Sequence, residues 1–125
     1  MEAYARVLFG VAGVVNLLVG VSILWAWNSL APLLQLDPVS GPNLWLVYFA
    51  GSMVGLFGIV YLLIAHDPQT YRPCIAIFTA GKIMAFACAL AVWLSGASSS
   101  ARFTILLSGD VVFAALFIDY LRRTA

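Results

Sequence analysis

The sequence predicts an all-α membrane protein, a four-transmembrane-helix bundle with a short interfacial helix in the first loop, forming a single domain over residues 1–125. The first observation is composition: 64% of the residues are hydrophobic, only 9% are charged, and the mean hydropathy is +1.05. A soluble domain carries roughly a quarter of its residues as charged groups, so lipid is expected to cover much of this surface. The second observation is a set of four long apolar runs separated by short polar turns. The net charge of +1 argues against nucleic-acid binding.

The four apolar runs cover residues 4–27, 44–65, 73–95 and 102–121. A run of about 20 residues crosses about 30 Å of hydrocarbon as an α-helix, and each of these runs is that long. Lipid offers no hydrogen bonds to the backbone, so a helix that satisfies its own amide groups is the expected structure.

The connections carry the residues that end helices. Residues 28–43 hold three prolines, and "LAPLLQL" at 30–36 is predicted to be the short helix lying at the membrane interface. Residues 66–73, "HDPQTYRP", are predicted to form a tight polar turn, with Pro73 in the first turn of the next helix. The serines of residues 96–101, "GASSSA", are expected to cap the fourth helix.

The basic residues predict the orientation. With four spans, one side of the membrane receives Arg6, Arg72, Arg122 and Arg123, whereas the opposite side receives Arg102. The positive-inside rule therefore predicts that both termini are cytoplasmic.

Small residues predict close helix packing. The second run contains "GSMVG", which places Gly51 and Gly55 in GxxxG spacing. Such a face would serve a homo-oligomer through Gly51 and Gly55, or packing between helices of one chain.

Each run contributes a polar residue near mid-membrane. At 1.5 Å per residue, Lys82 lies about 13 Å from the cytoplasmic face and Asp110 about 18 Å from it. The same arithmetic places Asn16 and Ser52 at about 18 Å. The sequence thus predicts one polar layer, in which the long lysine side chain reaches Asp110.

A charge at the centre of a membrane helix costs about 2.5–3.5 kcal/mol, so a Lys82–Asp110 ion pair is expected. The pair would either fix the register of the third and fourth helices or bind the headgroup of a ligand. Phe78, Phe86 and Phe113 flank the two charges at helical spacing, and they are predicted to line an apolar pocket or to pack in the core.

The remaining polar residues give weaker indications of a functional site. Asp119 and Arg123 have the i,i+4 spacing of a helical salt bridge. His66 is the single histidine of the chain, so no dedicated metal site is predicted. No cofactor can be assigned.

The strings "AHDPQTYRP", "GK", "GD" and "YLRR" resemble a family of small four-helix bacterial membrane proteins that is uncharacterised and loosely similar in layout to DoxX-like proteins. The resemblance covers roughly residues 44–123 and implies a multi-pass protein of the bacterial inner membrane. It brings no established activity. The residues to which it points are Asp67, Pro68, Tyr71, Arg72, Pro73, Lys82 and Asp110, and of these Asp67, Tyr71 and Arg72 form an interfacial loop.

Three functions are compatible with these features. The first is a non-catalytic bundle that binds a membrane lipid, quinone or isoprenoid, or that serves as an accessory subunit of a larger membrane complex. The second is a proton- or ion-coupled carrier that acts as a dimer and uses Asp110 and Lys82. The third is an enzyme acting on a membrane-embedded molecule, with Lys82 as base or Schiff-base amine.

Overall fold

A computed structural model of the chain describes residues 1–98 and 100–125, and all its long elements are helices. They are α1 (Glu2–Leu33), α2 (Leu44–His66), α3 (Arg72–Leu94) and α4 (Arg102–Arg123), with a 3₁₀ turn at Gly41–Asn43 before α2. Over these described residues no β-strand is present. Each of the four helices is long and apolar enough to cross a membrane. The all-α prediction is confirmed to that extent.

The predicted boundaries hold within two residues for α2, α3 and α4. Pro73 stands in the first turn of α3, as predicted, where its missing N–H leaves no helical hydrogen bond unmade. The polar turn at 67–71 also lies where the sequence places it. The first helix differs, because it continues through Leu33 instead of ending at residue 27.

A break within α1 explains part of that difference. Ala26 has non-helical angles of φ −118° and ψ 20°, so α1 consists of two helical segments joined at this residue. The second segment contains Pro32, which has no N–H to donate to the preceding turn. This segment overlaps the predicted short helix at 30–36, and its placement at a membrane interface stays a prediction.

The described chain forms two compact units. The first unit comprises Met1–Leu33 and Asp37–Thr70, and it contains α1 and α2. The second comprises Leu34–Leu36 and Tyr71–Ala125, and it contains α3 and α4. In each unit, later positions on the first helix contact earlier positions on the second, so the two helices run antiparallel. The expectation of one domain over residues 1–125 stays a prediction.

Glycines bring the backbones of α1 and α2 into direct contact. A methyl group added at Gly20 would stand 2.6 Å from the amide nitrogen of Gly55 and 2.8 Å from the carbonyl oxygen of Gly51. A methyl group at Gly51 would lie 2.9 Å from Cγ2 of Ile23 on α1. The "GSMVG" segment therefore packs within this chain, as small residues do in membrane helix pairs. A homo-oligomer through the same residues stays a prediction.

The hairpin of α3 and α4 carries hydrogen bonds between its helices. Near the connecting loop, Thr104 Oγ1 donates to the carbonyl oxygen of Ala89 over 3.3 Å. At the opposite end, the guanidinium of Arg72 donates to the carboxyl end of α4. The Lys82–Asp110 pair lies between these two positions along the hairpin.

The start of α4 differs in detail from the serine cap that the sequence predicts. The residue before the helix is Ala101, which has no capping side-chain bond. Ser100 contributes to the start of α4, because its Oγ accepts a hydrogen bond from the amide of Arg102 over 3.2 Å. The same hydroxyl donates to the carbonyl oxygen of Leu34 over 3.5 Å, a contact inside the second unit.

Candidate functional site

The candidate site lies near the middle of the α3–α4 hairpin and begins with Lys82. This residue stands near the midpoint of α3, a helix of 23 residues in which most neighbours are alanine or larger apolar side chains. These residues form a helix readily, and their backbone hydrogen bonds are made within the helix. The lysine is therefore held on a rigid element at a level far from either helix end.

Lys82 and Asp110 form an ion pair. Nζ of Lys82 donates to Oδ1 of Asp110 over 2.6 Å, a short distance that is typical of a charge-assisted hydrogen bond. The lysine side chain is 6% exposed and the aspartate side chain 24% exposed. The pairing that the sequence predicts is confirmed, and its use as a ligand-binding site stays a prediction.

An aromatic ring completes the surroundings of the ammonium group. The centroid of the Phe113 ring lies 5.3 Å from Nζ of Lys82, within the range of a cation–π interaction. Phe113 in turn lies 6.0 Å from the ring of Phe117, which is fully buried. Phe113 thus belongs to the site, and its position is held by packing on α4.

Phe78 and Phe86 lie on the same helix as Lys82. They stand one turn before and one turn after it, so all three share a face of α3, and both rings are half-buried. This placement agrees with the predicted aromatic flank. Their role as the lining of a ligand pocket stays a prediction.

Asn16 and Ser52 belong to the other unit. Asn16 is buried on α1, with 9% of its surface exposed, whereas Ser52 is exposed on α2. The two residues do not lie at the same level. Because Gly20 contacts Gly51 and Gly55, Ser52 is level with Gly20, which is four residues or about 6 Å along the helix from Asn16.

The depth arithmetic starts from the ends of the apolar runs and gives Asn16 and Ser52 equal depths, whereas the contacts between α1 and α2 set them about 6 Å apart along the helix. Within the second unit, Lys82 and Asp110 are in direct contact. The placement of all four polar residues in one layer stays a prediction.

The arginine of the predicted interfacial loop has a structural role that the sequence did not reveal. Nη1 of Arg72 donates to the carbonyl oxygen of Thr124 over 2.7 Å and to its Oγ1 over 2.6 Å. Nη2 donates to the carbonyl oxygen of Leu121 over 2.9 Å. The last carbonyl groups of a helix have no partner within it, so Arg72 caps α4 while also countering its negative dipole end.

Asp67 and Tyr71 are the other two residues of that predicted loop. The amide of Thr70 donates to Oδ1 of Asp67 over 3.2 Å, and Tyr71 is the residue immediately before α3. The hydrogen bond from the Thr70 side chain, followed by that from its backbone, holds the pKa of the Asp67 carboxyl below its ordinary value of 3.8. Asp67 is thus an ionised turn residue in neutral solution.

A second ion pair stands near the carboxyl end of α4. Nε of Arg123 lies 2.9 Å from the Asp119 carboxylate, which confirms the predicted i,i+4 pair. These side chains are 65% and 42% exposed, so the pair is far more accessible than Lys82–Asp110. It offers a matched control for experiments on the buried pair.

Neither a metal-binding cluster nor a similar protein of known role helps to define this site. Among the residues that the structure describes, no group of three or more His, Cys, Asp or Glu could hold a metal ion. A scan against protein-family models, a search of curated proteins and a search of solved structures each found no match. The resemblance to a bacterial family therefore stays a prediction, and the function must be argued from the geometry.

Proposed function

We propose that this chain is a non-catalytic membrane protein that binds an apolar molecule with a polar headgroup, such as a lipid, a quinone or an isoprenoid, at the Lys82–Asp110 pair. The observation that carries the proposal is a buried lysine bonded over 2.6 Å to an aspartate that remains 24% exposed, near the middle of two apolar helices. Ionisable residues at such positions are rare and are commonly functional.

Holding the hairpin together is not a sufficient reason for the pair. Arg72 already bonds α3 to the carboxyl end of α4, and Thr104 already bonds α4 to the distal part of α3. These contacts set the register of the two helices from both ends. Because a buried ion pair commonly stabilises a protein no more than apolar residues of similar size, the central pair favours a binding role.

The geometry also favours an apolar ligand over a fully polar one. Asp110 is surrounded along α4 by exposed apolar side chains, including Leu106 at 52% and Val111 at 39% exposure. A molecule that reaches the carboxylate therefore meets hydrocarbon on either side of it. A headgroup that bonds to the pair and an apolar body that covers these side chains would match this surface.

The wider setting belongs to the same proposal. We place four packed spans in a bacterial inner membrane with both termini cytoplasmic, on the strength of the arginine distribution and of the sequence resemblance. An accessory subunit of a larger membrane complex would use the same site for a shared ligand. A homo-oligomer through Gly51 and Gly55 is compatible with ligand binding on the other unit.

Native mass spectrometry from a gentle detergent tests the proposal. The wild type is compared with the double variant Lys82→Met/Asp110→Leu, which removes the buried pair, and with Asp119→Asn/Arg123→Gln, which removes the exposed pair. We expect a co-purified small molecule on the wild type and on the exposed-pair variant, and its loss from the buried-pair variant. Identical spectra for the three proteins would refute the proposal.

A proton- or ion-coupled carrier is the second candidate, because a partly exposed carboxylate paired with a lysine can exchange a proton or a cation. It is distinguished by pH-dependent uptake into liposomes that Asp110→Asn abolishes. Flux no greater than that of empty vesicles would remove this candidate and leave ligand binding in place.

A further inference from the structure

We infer that the ligand presents a hydrogen-bond donor to Asp110, and that its headgroup is a neutral hydroxyl. The chemical class is a long-chain or isoprenoid alcohol, or the hydroquinone form of a quinone in preference to the oxidised form. This inference rests on the proposed function and specifies the ligand of the same site.

The lysine is not the group that meets the ligand. Its side chain is only 6% exposed, its ammonium group is bonded to Asp110, and the ring of Phe113 lies over it at 5.3 Å. A ligand carbonyl therefore has little access to this ammonium group, because the lysine side chain is almost fully buried. Lys82 therefore orients and balances the charge of Asp110.

Only one of the two carboxylate oxygens of Asp110 is bonded to Lys82. Its Oδ1 is bonded to Lys82, whereas its Oδ2 accepts no hydrogen bond from the residues that the structure describes. Among the described residues no buried side-chain oxygen lacks a hydrogen-bond partner, so Oδ2 is not buried, and the side chain as a whole is 24% exposed. An ionised carboxylate only accepts hydrogen bonds, and the matching group on a ligand is a donor.

Ligands that donate a hydrogen bond and ligands that only accept one should differ strongly in their affinity for an ionised carboxylate. A hydroxyl forms a charge-assisted O–H···O⁻ bond, which is about twice as strong as a bond between neutral groups. An ether or a quinone carbonyl offers no proton, and it would cover the carboxylate without replacing the water that it displaces. A hydrogen bond to a charged group corresponds to a difference of about ten- to hundredfold in affinity.

The charge of the lysine also selects among donors. An ammonium headgroup would donate to Asp110, but it would stand close to Nζ of Lys82, which is only 2.6 Å from the same carboxylate. Two cations sharing one anion repel each other in a medium of low dielectric constant. A neutral hydroxyl gains the hydrogen bond without that repulsion.

The neighbouring side chains accommodate the apolar body of an alcohol. Leu106 lies one helical turn before Asp110 on the same face of α4 and is 52% exposed. Phe113 lies one turn after it and is half-buried. A chain of isoprene or methylene units attached to the hydroxyl can therefore lie along α4 in either direction.

Geranylgeraniol and its methyl ether are the decisive pair of probes, because they differ in whether the oxygen carries a proton. Each is titrated into the purified wild-type protein and the dissociation constants are read by native mass spectrometry. We expect the alcohol to bind at least tenfold more tightly than the ether, and geranylgeranylamine to bind no more tightly than the alcohol. In Asp110→Asn, which loses the anionic acceptor, the alcohol-to-ether ratio should fall to a few-fold, whereas Asp119→Asn should keep the wild-type ratio.

The key ratio is measured on the wild type, so it does not depend on any variant folding. Equal affinities for the two probes, or tighter binding of the ether, would overturn the donor inference while the proposed function stands. Failure of both probes to bind, together with a wild type that carries no co-purified molecule, would overturn the inference and the proposed function together.

Discussion

Removing the buried ion pair one partner at a time gives a prediction with a defined magnitude. The variants are Lys82→Met, Asp110→Leu and the double variant, all of which replace a charge by an apolar side chain of similar length or volume. Each single change removes one partner of the ion pair at the centre of the α3–α4 hairpin and keeps the other charge. The double change leaves none, so the two single effects should not add.

The burial of the two side chains sets the size of each effect. Breaking a buried pair costs about 3–5 kcal/mol, because the remaining charge is uncompensated. Asp110→Leu removes the carboxylate bonded to the lysine, whose side chain is 6% exposed, and should lie near the upper end of that range. Lys82→Met strands an aspartate that is 24% exposed and should lie near the lower end. The double variant should fall within about 1 kcal/mol of the wild type, since a buried pair replaced by apolar residues is commonly neutral.

Equilibrium unfolding in detergent and dodecyl sulfate mixtures measures these free energies. The control is the same cycle on the exposed pair, with Asp119→Leu, Arg123→Met and their double variant. Its coupling energy should be about 0.5 kcal/mol or less, as for exposed i,i+4 pairs. A coupling energy for Lys82 and Asp110 no larger than that of the control would refute the reasoning.

Three further predictions concern the rest of the chain. Gly20→Ala should lower the free energy of unfolding by about 1–3 kcal/mol relative to Gly10→Ala, since a methyl group at Gly20 meets backbone and one at Gly10 meets nothing within 4 Å. Arg72→Gln should cost about 1.5–3 kcal/mol and speed amide exchange at the end of α4, where its hydrogen bonds are made. Thr70→Ala should raise the pKa of Asp67 toward 3.8 in an NMR titration.

The sign of the last effect follows from the lowered pKa. Because the folded pKa of Asp67 lies below 3.8, the stabilising contribution of this carboxylate is present above the unfolded pKa and is lost as the pH falls through the folded value. Thr70→Ala should reduce the part of the folding stability that is lost at acid pH.

Each of the three predictions has an outcome that would contradict the contact behind it. These outcomes are an Asp67 pKa unchanged by Thr70→Ala, equal stability of the two glycine variants, and unaltered amide exchange in Arg72→Gln.

Much of the fold follows from hydropathy alone. Runs long enough to span hydrocarbon must satisfy their backbone internally, and this requirement predicts α2, α3 and α4 within two residues. The first run is predicted to end at residue 27, beside Ala26, but a kink with φ −118° and ψ 20° inside a helix that continues to Leu33 is not predicted. Neither glycine nor proline marks that position in the sequence.

Part of the candidate site was also predictable. The depths of Lys82 and Asp110, the short loop between α3 and α4 and the reach of a lysine side chain together predict the pair that the structure contains. Depth is a single coordinate, however, and it carries no information on helix rotation. That is why Ser52 is exposed although its estimated depth matched that of Asn16.

Contacts between residues far apart in the sequence are not predicted where no sequence motif links the two positions. The bonds from Arg72 to Leu121 and Thr124 join positions at opposite ends of the α3–α4 hairpin sequence. The positive-inside rule used Arg72 as a charge on one side of the membrane, and this role does not require a specific partner. The unpaired carbonyl groups at the end of any helix were the signal that could have suggested a capping arginine.

The central claim is that a ligand headgroup contacts Asp110, and photocrosslinking measures this contact most directly. A long-chain alcohol that carries a diazirine next to its hydroxyl is reacted with the reconstituted protein, and the modified residues are mapped by peptide mass spectrometry. We predict adducts concentrated within one turn of Asp110, at residues 106–114, and their loss in Asp110→Asn. Adducts spread evenly over the exposed apolar residues of all four helices, and unchanged in Asp110→Asn, would contradict it.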